Sequence, residues 1–343
     1  MDDITVRGAG ILGLSIAWIC AQRGARVQVI DPMGAASGSS GGIVGALAPH
    51  VPENWNPKKA FQFDSLLMAK DFWTQVDAEG GGDAGYARGG RVQPIANARG
   101  LELARARAET AKSLWQSQAQ WDVTQNADPD WHSDSPTGWF VRDTLTARIH
   151  PRRACDAIVK ALRAKGISVV PDGPDCGQVL WATGTAGLHD LSRTFDRPVG
   201  SGVKGQAALL EFAAPCATQL FVDGVHIVPH NDGTVAIGST SEPTFDDPIS
   251  TDAQLDFVIE KARVAVPALR GAPVVARWAG VRPRAKSRAP MLGAWPERPA
   301  HFIANGGFKI GFGMAPKIAH VMADLMLEGT DTIPDGFTIA ASL

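Results

Sequence analysis

The sequence predicts an α/β protein in which a mostly parallel, helix-flanked sheet is assembled from separated stretches of chain, with a second, mixed or antiparallel sheet inserted between them. Three observations predict it. Residues 4–31 read as strand, glycine turn, apolar helix and strand, which is a βαβ unit. Residues 203–237 alternate apolar and polar positions at period two, with hairpin signals such as Asn231-Asp232-Gly233. The length, 343 residues, suits about two domains on a prior of roughly 150 residues each.

Ile4-Thr5-Val6 forms the first buried strand, followed by a helix from about Leu12 to Arg23 that Gly24 stops. Val27-Gln28-Val29-Ile30 is the next strand and ends at Asp31. Residues 34–48 are too rich in glycine for a helix interior and too apolar for a linker, so something approaches this backbone closely. Phe61, Leu66, Leu67, Ala69, Phe72 and Trp73 give residues 61–76 helical spacing. The glycine-rich loop after it, 80–90, is expected to be a boundary or a mobile lid. A helix over 100–121 pairs Glu102 with Arg105 and Glu109 with Lys112 on a solvated face. Residues 126–138 are polar and turn-rich, after which Pro151 opens a helix that closes at Gly166. Strands follow at 167–170 and 179–182, and antiparallel strands at 206–212, 220–222, 225–228 and 234–237. A helix at 255–266, a strand at 302–304, a glycine turn and a helix from Ala315 to about Leu327 complete the chain.

Composition excludes several classes. Lys plus Arg number 33 against 35 Asp plus Glu, so no net field draws the chain to nucleic acid or to anionic lipid. The four cysteines form no C-x-x-C and have no His-rich tract beside them, so neither a metal site nor a disulfide framework is expected, and a reducing cytoplasm fits. The chain starts Met-Asp-Asp without a basic n-region, and no run reaches about 18 apolar residues, so neither a signal peptide nor a membrane span is expected.

Gly8-Ala9-Gly10-Ile11-Leu12-Gly13 matches G-x-G-x-x-G between a strand and a helix. Glycines there allow a tight turn and let a pyrophosphate approach the helix N-terminus, whose dipole favours anions. Asp31, at the tip of the second strand, stands where a carboxylate can hydrogen-bond a ribose hydroxyl, so a bound dinucleotide is expected. Arg277, Arg282, Arg284, Lys286 and Arg288 form a basic run that suits a solvated surface, an anionic substrate or a nucleic-acid strand.

Six ordered blocks specify the dinucleotide: GAGILG (8–13) with Asp31, ASGSSGGIVGALAPH (36–50), the helix opening at His150-Pro151, WATGTAG (181–187), VHIVPHNDGTVAIGST (225–240), and AGVRPRAKSRAPMLG (279–293) leading into NGGFKIGFGMAP (305–316). In these the chain resembles the D-amino-acid oxidase family of FAD enzymes, most closely its glycine-oxidase-like branch. The resemblance implies a glutathione-reductase-like, Rossmann-type FAD-binding domain over 1–80, 145–198 and 276–343, and an inserted mixed or antiparallel β-sheet substrate domain over 81–144 and 199–275. It implies FAD as cofactor, with Gly8, Gly10, Ile11, Leu12 and Gly13 at the pyrophosphate and Asp31 at the adenosine ribose. Ser37, Ser40, Gly41, Gly42 and Ile43 would wrap the flavin side, together with Ala182, Thr183 and Gly184. Gly307, Phe308, Lys309, Ile310, Gly311 and Phe312 would lie at the pyrimidine end of the isoalloxazine.

The same resemblance implies that Arg282 grips the carboxylate of a small amine or amino acid while hydride passes from its Cα to flavin N5, the imine hydrolysing in water and oxygen or another acceptor reoxidising the flavin. Lys309 stands where glycine oxidases have an arginine that helps to bind that carboxylate. His226 replaces a tyrosine and is a candidate substrate contact. Two further departures are Ser287-Arg288, in place of Asp-Gly, and a stretch between Gly166 and Trp181 too short for the strands that normally touch the adenine end. Two alternatives stay open: a flavoenzyme acting on an aminomethyl group of a modified nucleic-acid base, which the near-neutral charge argues against, and a flavin-binding protein that has lost catalysis.

Overall fold

A computed structural model describes residues 3–126, 128 and 130–343. The chain opens with β1 (Asp3–Arg7), α1 (Ile11–Gln22) and β2 (Arg26–Ile30), then β3 (Ala46–Leu47), α2 (Pro57–Gly80), β4 (Arg91–Pro94) and α3 (Ala98–Leu114). It continues through β5 (Trp121–Thr124), β6 (Phe140–Asp143), β7 (Ala147–Arg148), α4 (Pro151–Ala164), β8 (Val169–Val170), β9 (Gln178–Trp181) and α5 (Gly184–Thr194). The remainder comprises β10 (Gly200–Glu211), β11 (Gln219–Val222), β12 (Val225–Pro229), β13 (Thr234–Gly238), α6 (Ala253–Ala265), β14 (Val274–Ala285), β15 (Met291–Ala294), β16 (His301–Asn305) and α7 (Gly311–Glu328).

One sheet has the order β15-β16-β9-β1-β2-β8 and is parallel except for the β15–β16 pair. Helices α1, α2, α4 and α7 pack against one another as a layer over it. Helix α1 is apolar all round, with Ile11 through Cys20 buried, because the sheet, α4 and α7 leave it no solvent face. On β1 the alternation sends Ile4 and Val6 into that core and Thr5 and Arg7 to the opposite face. There a short strap after β8 lies against the sheet. Thr5 Oγ1 donates to Cys176 O at 3.0 Å, Arg7 Nη2 to Gly173 O at 3.1 Å and Gln28 Nε2 to Pro174 O at 2.6 Å.

The second sheet has the order β14-β10-β13-β12-β11-β4-β6-β5, antiparallel but for the parallel β11–β4 pair, and α6 covers β10, β12 and β13. Strand β14 crosses the expected boundary at 276, since it pairs with β10 from Val274 to Ala285 with a single register shift opposite Leu209 and Leu210. It therefore brings Arg282 from this sheet to the face of the first.

Three expectations are corrected. The helix expected to reach residue 121 ends at Leu114, where Gln116 and Ser117 take left-handed φ values of 49° and 60°. Trp121 belongs to β5, its ring edge-on to Trp115, so packing between two buried tryptophans overrides helical spacing. The last helix starts at Gly311, four residues before Ala315, and carries Pro316 inside at the cost of one backbone bond. The loop 80–90 is pinned rather than lid-like: Ala87 exchanges backbone bonds with Arg148, Gly90 N–H donates to Thr146 O at 2.9 Å, and His150 N–H donates to Ala84 O at 3.0 Å. No helix among the described residues is long and apolar enough to cross a membrane.

Candidate active site

A cavity of about 730 Å³ extends between the two sheets, with Asp31 and Arg7 among its walls at the β1–β2 side and Arg282 and Lys309 among those contributed by β14 and the 306–309 turn. At the first turn Gly8 has φ +106°, and a Cβ there would stand 2.4 Å from Ala182 O, so only glycine lets the segment after β9 close over it. A Cβ on Gly13 would meet Gly8 O at 1.9 Å, which makes Gly13 a packing glycine of the helix against the turn. Asp31 accepts the Ala9 N–H at 2.8 Å on Oδ2 and the Met33 N–H at 3.0 Å on Oδ1. Each carboxylate oxygen retains lone-pair capacity for a hydroxyl.

The 36–50 run is threaded past the start of α1. Ser40 Oγ accepts the Ile11 N–H at 2.9 Å, Arg152 Nε donates to Gly41 O at 2.7 Å, and His230 Nε2 donates to Ile43 O at 3.1 Å. Helices α5 and α7 begin without a side-chain cap, α1 has its first N–H taken by Ser40 Oγ, and Ile11, Gly184 and Gly311 at their first positions all line the cavity. Three helix N-termini on one cavity favour negative charge inside it.

At the other side, the period-two geometry of β14 turns Trp278, Gly280 and Arg282 to one face. The indole of Trp278 occupies the space over Gly280, where a Cβ would lie 2.4 Å from its ring, and it also approaches Gly42. The Arg282 guanidinium lies over Gly205 of β10, 5.8 Å from the centre of the Trp278 ring, with Nη1 3.4 Å from Thr240 O. Burial lowers the Arg282 pKa to about 10, against the opposing pull of Glu242, and the group stays charged at neutral pH.

Phe308, in the left-handed region at φ 42°, donates its N–H to Pro283 O at 2.9 Å and so ties the turn carrying Lys309 to the strand carrying Arg282. Desolvation, and then the charge of Arg282, depress the Lys309 pKa. His226 stands behind this wall. Its ring packs on Phe221 at 4.5 Å, its Nδ1 is buried without a partner, and burial with the charges of Arg91 and Lys309 pushes its pKa down to about 3, so it is neutral.

The cavity thus gathers Gly8, Gly10, Ile11, Leu12, Asp31, Ser37, Ser40, Gly42, Ile43, Ala182, Thr183, Gly184, Arg282, Gly307, Phe308, Lys309, Gly311 and Phe312. Gly13, Gly41, Ile310 and His226 lie outside its lining. Gly41 serves the turn of the run instead, since a Cβ there would meet Ala36 O at 2.4 Å. Sequence reasoning missed Arg7, Trp278, Ile249 and Asn305 in the wall. Trp278 carried a usable signal, sharing a strand face with Arg282; Ile249 sits in the irregular connection between β13 and α6 and carried none. The basic run disperses: Arg277 pairs with Asp256 at 2.6 Å, Lys286 Nζ reaches Leu343 O at 3.0 Å, and Arg282 enters the cavity.

A glycine-turn βαβ unit with a strand-tip carboxylate, three helix N-termini on the cavity and a second sheet closing the far wall define a Rossmann-type flavoprotein. The family model described as FAD dependent oxidoreductase matches residues 3–325, and the chain belongs to that family, in its glycine-oxidase-like branch, with FAD as its cofactor. The glycine oxidase of Geobacillus kaustophilus (strain HTA426) is 25% identical over 372 aligned residues, which cover 94% of this chain and 92% of that protein. The crystal structure of glycine oxidase from Geobacillus kaustophilus superimposes with a TM-score of 0.86 at 20% identity, covering 99% of each chain. The crystal structure of iminodiacetate oxidase from Chelativorans sp. BNC1 gives 0.84 at 19% identity, covering 98% of each. The donor set fits the cofactor: glycines that a Cβ would block, a carboxylate with free lone pairs, and positive helix ends facing a long cavity.

Proposed function

We propose that the protein oxidises the C–N bond of a small amine or amino acid. The observation that carries this reading is Arg282: a desolvated guanidinium in the FAD cavity with no carboxylate partner among the described residues, which suits a substrate carboxylate. The relatives named as glycine oxidase and iminodiacetate oxidase support it.

Gly8, Gly10, Ile11 and Leu12 would hold the pyrophosphate, Asp31 the ribose, and the 37–43 and 307–312 segments the flavin. Bound FAD supplies the hydride acceptor at its N5. Arg282 binds both carboxylate oxygens through its planar fork and thereby orients the Cα–H. The positive charges of Arg282 and Lys309 disfavour an ammonium beside them and so favour the neutral substrate amine, the form that releases hydride. Trp278 limits the room beside Arg282 and excludes water from the carboxylate contact. Neutral His226 can donate or accept one hydrogen bond at its free Nδ1, according to its tautomer.

The test is an absorption spectrum of the purified protein followed by anaerobic addition of glycine, sarcosine and D- and L-amino acids. Oxidised-flavin bands at about 370 and 450 nm are expected, and one member of the panel should bleach them. Arg282→Ala should then weaken that substrate by roughly 100-fold. A flavin that stays oxidised with every amine overturns the proposal.

A further inference from the structure

We propose that the substrate is a small amine bearing two carboxylates, one held by Arg282 and the other by Lys309, an assignment that rests on the C–N oxidation proposed above. Both cations wall the same cavity, and the Phe308 N–H bond to Pro283 O seats Lys309 beside the strand position that follows Arg282. Neither is in an ion pair with a carboxylate among the described residues, whereas Arg91 and Lys204, the two fully buried cations of the eight-stranded sheet, are neutralised by the chain itself. Arg91 has Asp143 at 3.1 Å and Lys204 has Glu242 at 3.8 Å. Glu242 is committed there, since it also accepts from Gln206 Nε2 at 3.1 Å and from Thr240 Oγ1.

Lys309 reaches solvent through the open cavity, so its charge is tolerated while the cavity is open. Ligands that fill the cavity remove that solvent, and a desolvated ammonium then requires an anion. Aromatic rings lie against the two cations, Trp278 at 5.8 Å from Arg282 Cζ and Phe308 at 5.6 Å from Lys309 Nζ; the charged groups close by are Glu242, which pulls on Arg282 but is held by Lys204, and Arg284, whose guanidinium lies 5.7 Å from the same Phe308 ring and adds positive charge. The cofactor's pyrophosphate does not fill the need, because its cradle at Gly8 and Gly10 belongs to the β1–α1 turn. The bridge between Arg284 and Gly307 likewise holds the start of the Lys309 turn against β14, the strand that carries Arg282. A single carboxylate leaves one of the two charges unmatched; a dicarboxylate matches both.

The experiment titrates the FAD-loaded protein with carboxylates that cannot be oxidised, acetate, malonate and succinate, and follows the flavin absorbance. At least one dicarboxylate is expected to bind roughly tenfold or more tightly than acetate. Lys309→Met should remove most of that preference, weakening acetate far less, and Lys309→Arg should retain it. Equal affinity for acetate and both dicarboxylates overturns the proposal, as does a Lys309→Met variant that weakens all three alike. Turnover separates this assignment from the one beneath it. A dicarboxylate preference in a protein whose flavin no amine bleaches, iminodiacetate and both aspartates included, would refute C–N oxidation and leave the paired anion site standing. Bleaching by glycine or sarcosine without a dicarboxylate preference would do the reverse.

Discussion

Gly205→Ala separates the carboxylate site from the fold. The three atoms nearest to a Cβ at Gly205 all belong to the Arg282 guanidinium: Nη1 at 1.8 Å, Cζ at 2.3 Å and Nη2 at 2.3 Å. Ordinary contact begins at 3.4 Å, so Nη1 has to withdraw by about 1.6 Å. The far end of a flexible side chain can make that move, and a strand glycine replaced by alanine gains roughly 0.5–1 kcal/mol of backbone entropy, so stability and FAD content should hold. The fork, however, leaves its position. Losing one charge-assisted hydrogen bond of about 1.5–3 kcal/mol weakens carboxylate binding roughly 10- to 100-fold, and a misplacement of about 1 Å costs the half-reaction a factor of roughly 100. Acetate titration of the flavin spectrum measures the first effect, stopped-flow bleaching the second and thermal melting the control. A Gly205→Ala protein that binds acetate within about twofold of the parent would refute the placement of Arg282 as the carboxylate anchor.

Gly8→Ala should act at the other side of the cavity and on the fold itself, because the new Cβ meets backbone, Ala182 O at 2.4 Å, at φ +106°. The protein should purify without FAD and melt lower by an amount worth roughly 2 kcal/mol or more, and a yellow protein of parental stability would contradict the close approach of the two segments. His230, 1% exposed, has its pKa lowered from 6.5 to about 4, by burial first and the neighbouring His150 second. The folded state therefore binds fewer protons than the unfolded one below pH 6.5, and stability falls as pH drops from 6.5 towards 4. At about pH 5 the loss from this group is about 2 kcal/mol, and denaturant unfolding of His230→Gln at about pH 7.5 and about pH 5 should show an acid loss smaller by that amount. Equal losses in parent and variant would show that His230 is not the group responsible.

The parts of the site that were legible in the sequence are those whose partners are close in the chain or lie on one periodic element. The Gly8-to-Gly13 turn and Asp31 fall within one βαβ unit and the serine-glycine run directly follows it, and the structure joins them through the Ala9–Asp31 and Ile11–Ser40 bonds. The Arg282 contact over Gly205 was not legible, since it depends on the register of β10 against β14, which pairs Gly205 with Gly280. His226 illustrates the same limit: its alignment with a substrate tyrosine located it on the right strand, but the ring packs on Phe221 behind the cavity wall. Strands β4, β5 and β6 escaped notice because four residues are too few to establish a period. Helix α5 was hidden for another reason: its first residues, Gly184-Thr185-Ala186, read as the end of a flavin motif while also starting a helix.

In the proposed reaction, strand β14 would register the substrate against a cofactor held by a different sheet. Hydride transfer tolerates little misplacement, so the carboxylate anchor and the cofactor wall need a common rigid reference. Trp278, Gly280 and Arg282 share one strand face, the unbroken ladder from Gly200–Ala285 to Leu209–Ala276 fixes that strand against β10, and its only irregularity, between Leu209 and Leu210, lies beyond the site. The turn with Lys309 is then tied to the same strand through the Phe308–Pro283 bond and the bridge between Arg284 and Gly307. A one-residue slip of β14 would reverse all three side chains to the other face, so the length of the ladder would itself set the geometry of the proposed carboxylate site.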